Sequence, residues 1–137
     1  MCVDHLQRDE AHKLKPYTLG QYQCHAFVGN SQYFTYSTNQ ELRNEYMCAK
    51  INPVNGNEVQ MAACEGHGKD PKFKWEWIPV GSNPEDARSG ILKNKASEKC
   101  LLPDGNHSSA NLLVANCDLS NPDLVWRFDF NQDHKST

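Results

Sequence analysis

Three segments of the chain share one alternation of apolar and polar positions, and each ends in a cysteine. They are Leu19-Gly-Gln-Tyr-Gln-Cys24, Val59-Gln-Met-Ala-Ala-Cys64 and Leu112-Leu-Val-Ala-Asn-Cys117. An apolar residue stands five before the cysteine in every copy. A period of two places alternate side chains on opposite faces, so each segment predicts a half-buried strand. An aromatic stretch follows each one: Gln32-Tyr-Phe-Thr-Tyr36, Lys74-Trp-Glu-Trp-Ile78 and Val125-Trp-Arg-Phe-Asp-Phe130. These predict three further strands. Between the strands lie turn formers such as Asn52-Pro53, Asn55-Gly56, Ser82-Asn83-Pro84, Pro103-Asp104-Gly105 and Asn121-Pro122, with Asn-Gly a hairpin signal. No window predicts a helix longer than about three turns. Gln40-Glu-Leu-Arg-Asn reads either as one helical turn or as the start of a strand.

The six cysteines follow the same rhythm. Cys2, Cys48 and Cys100 each open a unit, and Cys24, Cys64 and Cys117 follow them after 22, 16 and 17 residues. Three units of short strands, roughly 45 residues each, predict an all-β domain with pseudo-three-fold symmetry, the β-trefoil. The units run over about 1–46, 47–98 and 99–132, with a short tail at 133–137, and together form one domain of 137 residues. Each cysteine pair brackets an equivalent strand-turn-strand segment. The expected disulfides are therefore Cys2–Cys24, Cys48–Cys64 and Cys100–Cys117, one within each unit and one pairing out of the 15 that six cysteines allow.

Composition narrows the class. Leu, Ile, Val and Phe make up only about a fifth of the 137 residues, a thin core that fits a disulfide framework and an oxidising compartment. The net charge of −3, from 14 basic and 17 acidic residues without a Lys/Arg block, argues against a nucleic-acid binder. No apolar run approaches the ~18 residues of a membrane span. There is no C-x-x-C, and the six His are scattered, which argues against zinc. Asn106-His-Ser108 is an N-glycosylation sequon and fits a secretory route. Met1 is followed at once by Cys2 and polar residues. The expectation is thus a segment excised from a larger secretory protein, with Met1 an added start codon.

The first unit carries a more specific pattern. Cys2-Val-Asp4, then Tyr22-Gln-Cys24-His25, Gly29-Asn30-Ser-Gln32-Tyr-Phe34, Glu41-Leu-Arg43 and Cys48 together resemble the ricin-type lectin domain of the polypeptide N-acetylgalactosaminyltransferases. The resemblance covers nearly the whole chain. It implies a sugar-binding appendage that recognises N-acetylgalactosamine or galactose-type sugars on glycopeptides, tethered to a mucin-type O-glycosylating transferase in the Golgi lumen. It implies no catalysis and no cofactor in this segment, because the family uses Mn2+ and UDP-GalNAc in a separate catalytic domain, which would also be a tethered partner. Three features depart from the family pattern. Ser31 separates Asn30 from Gln32, Phe73 and Leu124 replace the Gln that precedes the Trp of the second and third units, and the strand before the first cysteine is missing. The tail beyond Phe130 could fill that last gap.

Sugar binding needs a carboxylate for paired hydroxyls, an aromatic wall for the apolar face of the ring, and an amide that both donates and accepts. Two residues after the first cysteine stand Asp4, Lys50 and Leu102, and two before the second stand Tyr22, Ala62 and Ala115. One after the second cysteine stand His25, Glu65 and Asp118, and six after it Asn30, Asp70 and Asp123. Only the first unit holds the full set. The expected site is Asp4 for the axial 4-hydroxyl and the 3-hydroxyl, Asn30 sharing the 3-hydroxyl, and Tyr22 or else His25 as the stacking wall. Trp75, Trp77 and Trp126 are expected in the core. The competing reading is a trefoil interaction or folding module whose sugar site has decayed, which the spacing around Ser31 favours.

Overall fold

The computed structural model describes residues 2–5, 17–22, 34–44, 47–52, 56–64, 68–80, 89–105 and 110–127. Its strands are β1 (Cys2–His5), β2 (Tyr17–Tyr22), β3 (Thr35–Tyr36), β4 (Leu42–Asn44), β5 (Met47–Ile51), β6 (Val59–Ala63), β7 (Trp75–Pro79), β8 (Ser89–Asn94), β9 (Cys100–Pro103), β10 (Leu112–Ala115) and β11 (Trp126–Arg127). The described residues hold no α-helix, only 3-10 turns at Pro71–Phe73 and Pro122–Leu124. None of their helices is long and apolar enough to cross a membrane. The segment Gln40–Asn44 resolves into a tight turn followed by β4: Gln40 takes a positive φ of 65°, its N–H donates to the Ser37 carbonyl and Ser37 N–H to the Glu41 carbonyl.

Three hairpins are built to one register. β1 pairs with β2, β5 with β6 and β9 with β10, all antiparallel. In each, the first cysteine of the unit lies opposite the residue two before the second: Cys2↔Tyr22, Cys48↔Ala62 and Cys100↔Ala115. In the second and third units that register leaves the second cysteine just past its strand, within reach of the first. The disulfides Cys48–Cys64 and Cys100–Cys117 form as expected, with Cα separations of 5.1 and 5.2 Å. Cys2 is also disulfide-bonded, and the remaining cysteine, Cys24, lies outside the described residues.

The hairpins close on one another in a ring. Gln21 N–H donates to the Ala110 carbonyl and Val114 N–H to the Asn57 carbonyl, both at 2.9 Å, while Met61 pairs with Tyr17. Gln21, Val114 and Met61 each lie three before their unit's second cysteine, and their partners lie seven before another's. The next rungs repeat the relation: Gly20↔Asn111, Leu113↔Glu58 and Gln60↔Thr18. Each inner strand thus pairs with the next unit and the third returns to the first, which satisfies backbone groups that a lone hairpin would leave open. The remaining strands continue outward. β3 pairs with β4 and β4 with β5, while β8 pairs with both β7 and β11. The closed three-fold arrangement is a β-trefoil.

The apolar residues five before each second cysteine, Leu19, Val59 and Leu112, are buried in one cluster with Ala49, Met61, Trp75, Leu101 and Val114. Trp75 and Trp126 play matching parts. The Trp75 indole N–H donates to the Ala49 carbonyl at 3.0 Å and that of Trp126 to the Leu101 carbonyl at 2.9 Å. Ala49 and Leu101 are each the residue after a unit's first cysteine. In the first unit the ladder sets Tyr36 opposite Leu42 as it sets Trp77 opposite Leu92. Phe34 therefore takes the Trp75 position without an N–H to give. Trp75 is fully buried, and Trp77 and Trp126 are partly buried against the same cluster, as expected for core aromatics.

Buried polar groups fix the joints. Asn94, fully buried, accepts the N–H groups of Ala96 and Ser97 at 3.0 and 3.1 Å and donates to the Lys72 carbonyl at 3.1 Å. Asn44, at the end of β4, is buried in the matching place. Glu41 is buried with its carboxylate near Ser37 Oγ at 3.2 Å and the Arg43 guanidinium at 3.4 Å. Gly90 is required by contact: a Cβ there would meet the Ile78 carbonyl oxygen at 2.6 Å and the Trp77 ring at 2.8 Å.

Trp75→Phe should cost about 1–3 kcal/mol, because it strands the buried Ala49 carbonyl. Urea unfolding followed by circular dichroism measures it, and an unchanged midpoint would remove the indole from the account. Tyr36 tests the same region by titration. Its hydroxyl donates to the Trp75 carbonyl at 2.5 Å. Burial, the largest cause, pushes the phenol above its ordinary 10.0, with the backbone of Trp77 and the side chain of Gln40 acting against it and Glu76 adding to it. A folded pKa above the unfolded one stabilises fully below pH 10 and is lost as pH rises through the folded value. The wild-type melting temperature should fall more steeply than that of Tyr36→Phe as pH rises above about 10.

Candidate functional site

The second face of each hairpin, away from Leu19 and Gln21 and their counterparts, carries one comparable set of positions. On the first hairpin Asp4 stands opposite Gly20 and Cys2 opposite Tyr22. On the second Lys50 stands opposite Gln60, and on the third Leu102 opposite Leu113. Asp4, Lys50 and Leu102 thus occupy the same register position, as counting from the cysteines predicts. Opposite the carboxylate residue stands a residue with no side chain. The other two expected site residues, His25 and Asn30, lie outside the described residues, as does the sequon Asn106.

The second and third units offer no acceptor at this position. The Lys50 ammonium lies over the Phe73 ring, 5.4 Å from its centroid, a cation–π contact. Leu102 packs against Ile91, Cys100 and Leu124. The acids nearby are committed to their own turns. Asp70 caps its 3-10 turn by accepting the Lys72 N–H at 2.9 Å. Asp118 accepts both the N–H and the hydroxyl of Ser120, at 3.0 and 2.7 Å, and these bonds hold its carboxyl below the usual value.

Counting six residues from the second cysteine matches Asp70 with Asp123, and the turns correct this. Asn121, not Asp123, repeats the role of Asp70, accepting the Asp123 N–H at 3.0 Å as the cap of the turn at Pro122–Leu124. The third unit is two residues shorter between cysteine and turn. Lys72 is therefore the counterpart of Asp123. The signal that finds this is the shared string Asx-Pro-x-apolar-x-Trp, Asp70 to Trp75 and Asn121 to Trp126, counted back from the tryptophan. Among the described residues no group of three His, Cys, Asp or Glu could hold a metal ion.

A closed ring of three register-matched hairpins, with one variable set of positions per hairpin, defines a trefoil scaffold of the lectin type. The sequence profile of the ricin-type β-trefoil lectin domain matches residues 1–126, and the chain belongs to that family. It is 27% identical over 107 residues to human polypeptide N-acetylgalactosaminyltransferase 6, and 26% identical over 107 residues to the bovine protein of that name. Each alignment covers 78% of this chain and 16% of the relative, so the chain spans about a sixth of the length of the curated relatives it matches. Its fold resembles part of the crystal structure of GalNAc-T7 with UDP, GalNAc and Mn2+, at a TM-score of 0.64 and 20% identity over 93% of this chain and 20% of that one. It also resembles ThreeFoil, a designed three-fold symmetric protein, at a TM-score of 0.68 and 14% identity over 91% of this chain and 87% of that one. The segment is a lectin domain and not a transferase catalytic domain.

Proposed function

We propose that the domain binds galactose-type sugars, N-acetylgalactosamine foremost, on glycopeptides, through its first unit. The observation that carries this reading is the register comparison: of three equivalent positions, only Asp4 is a carboxylate, against Lys50 and Leu102. A carboxylate there can accept from the axial 4-hydroxyl and the adjacent 3-hydroxyl at once. A lysine or a leucine would leave those hydroxyls without an acceptor once they are taken out of water. Asn30 shares the 3-hydroxyl, and Tyr22, or His25 in its place, stacks on the ring. The ricin-type family and the transferase relatives support this chemistry. They also support a parent protein in which the domain is tethered to a transferase catalytic domain in the Golgi lumen and directs it along glycopeptides. The sequon at Asn106 carries a glycan in that compartment.

A few polar contacts, each worth ~0.5–1.5 kcal/mol net, give weak binding, with a dissociation constant on the order of 1 mM, about −4 kcal/mol. NMR titration with N-acetylgalactosamine tests it. Asp4→Ala should abolish detectable binding, Asn30→Ala and Tyr22→Ala should weaken it, and Lys50→Ala and Leu102→Ala should leave it unchanged. Glucose-type sugars should bind less well, since their equatorial 4-hydroxyl points away from Asp4. A wild type silent at tens of millimolar would hand the function to the competing reading, an interaction module with a decayed site, which the insertion of Ser31 between Asn30 and Gln32 favours.

A further inference from the structure

We propose that the second unit binds a sulfated glycan through a lysine-lined face centred on the turn at Pro71–Phe73. Two register positions carry the argument. Lys50 stands where the first unit has Asp4, and Lys72 stands where the third has Asp123. At each of these places the second unit has a cation where another unit has an acid.

The fold gathers more cations at the same place. β5, which carries Lys50, and β8, which carries Lys93, both pack against the turn at Pro71–Phe73. On the β7–β8 ladder Trp75 and Asn94 are paired and buried, so Lys74, Glu76 and Lys93 fall on the opposite face. Lys95 joins them, its N–H donating to the Lys74 carbonyl at 2.9 Å. Lys69 is exposed just before the turn.

Among the described residues the negative groups nearby form no ion pair with these lysines. The Asp70 carboxylate accepts the Lys72 backbone N–H, Glu76 stands across from Lys93, and Glu98 lies in the turn after β8. No ion pair among the described residues involves Lys50, Lys69, Lys72, Lys93 or Lys95, and Lys74 donates only to the Asn39 carbonyl, at 3.3 Å. In a chain of net charge −3, the described residues around this turn thus hold more ammonium than carboxylate groups.

The chemistry selects the ligand. Lysine ammonium groups are compact point charges that suit the oxygens of a sulfate ester. Exposed pairs are each worth little, so affinity needs several at once along a repeating polyanion. Nucleic acid fits less well, because single-strand binding uses aromatic platforms for bases, and Trp75 and Phe73 here are buried. The disulfides place the chain where sulfated polysaccharides occur rather than nucleic acids. The site is separate from the Asp4 hairpin and stands without it.

The test is calorimetric titration of the 137-residue chain with a heparin oligosaccharide and with its desulfated, N-acetylated form, which keeps the carboxylates. The sulfated form should bind at low salt and weaken about tenfold or more between about 50 and 300 mM salt, while the desulfated form should not bind. Lys72→Glu with Lys95→Glu should weaken binding about tenfold or more. Arg127→Glu, on exposed β11, should change it less than about twofold. An unaltered melting temperature and an unaltered N-acetylgalactosamine titration in the double variant would show that only this face was changed. Absence of binding by the sulfated form, equal binding of the desulfated form, or an unaffected double variant would each overturn the proposal. So would equally tight binding of single-stranded DNA, which would reduce the face to generic polyanion capture.

Discussion

The ring of hydrogen bonds between the three hairpins is the constraint on which the rest depends. A single antiparallel hairpin is marginal in water. Here each inner strand donates to the next unit, from Gln21 to Ala110 and from Val114 to Asn57, and the pairing of Met61 with Tyr17 completes the circuit. Closure carries Leu19, Val59 and Leu112 into one buried cluster. The disulfides Cys48–Cys64 and Cys100–Cys117 then hold the register of their own hairpins, because the first cysteine lies opposite the residue two before the second.

This arrangement frees half of the positions. The inner face fills a common core, and within it the buried Gln21 stands where the other units have Met61 and Val114. Its side-chain amide reaches the Gly105 carbonyl at 3.3 Å, tying the first hairpin to the turn of the third. The second face keeps the buried first cysteines of the second and third units, Cys48 and Cys100, but varies two residues on. Asp4, Lys50 and Leu102 share one register position yet differ fully in charge, so one scaffold carries an acid, a base and an apolar residue at the same place in its three units.

The matched tryptophans show how far the three-fold symmetry extends. Trp75 and Trp126 both hydrogen-bond the carbonyl after a first cysteine, whereas Phe34 cannot. Tyr36, two residues on, instead ties the first unit to the second by donating its hydroxyl to the Trp75 carbonyl.

Much of the fold could be read from the chain alone, because its signals are local. The period of two, the apolar residue five before each cysteine and the recurrence of the aromatics identify strands, core and unit length without any knowledge of contacts. The pairing of Cys48 with Cys64 and of Cys100 with Cys117 followed from the same recurrence, and so did the equivalence of Asp4, Lys50 and Leu102. Other features depend on which segments meet. The buried roles of Asn44 and Asn94, the strand β8, and the capping of the 3-10 turns by Asp70 and Asn121 have no periodicity of their own. The two-residue difference in loop length hid the match of Lys72 with Asp123. The lysine face was invisible for the same reason: Lys50, Lys69, Lys72, Lys93 and Lys95 are dispersed over nearly fifty residues, and only strand pairing and the packing of β5 and β8 against one turn bring them together. Alternation is a property of neighbouring residues, but a surface is a property of the closed fold.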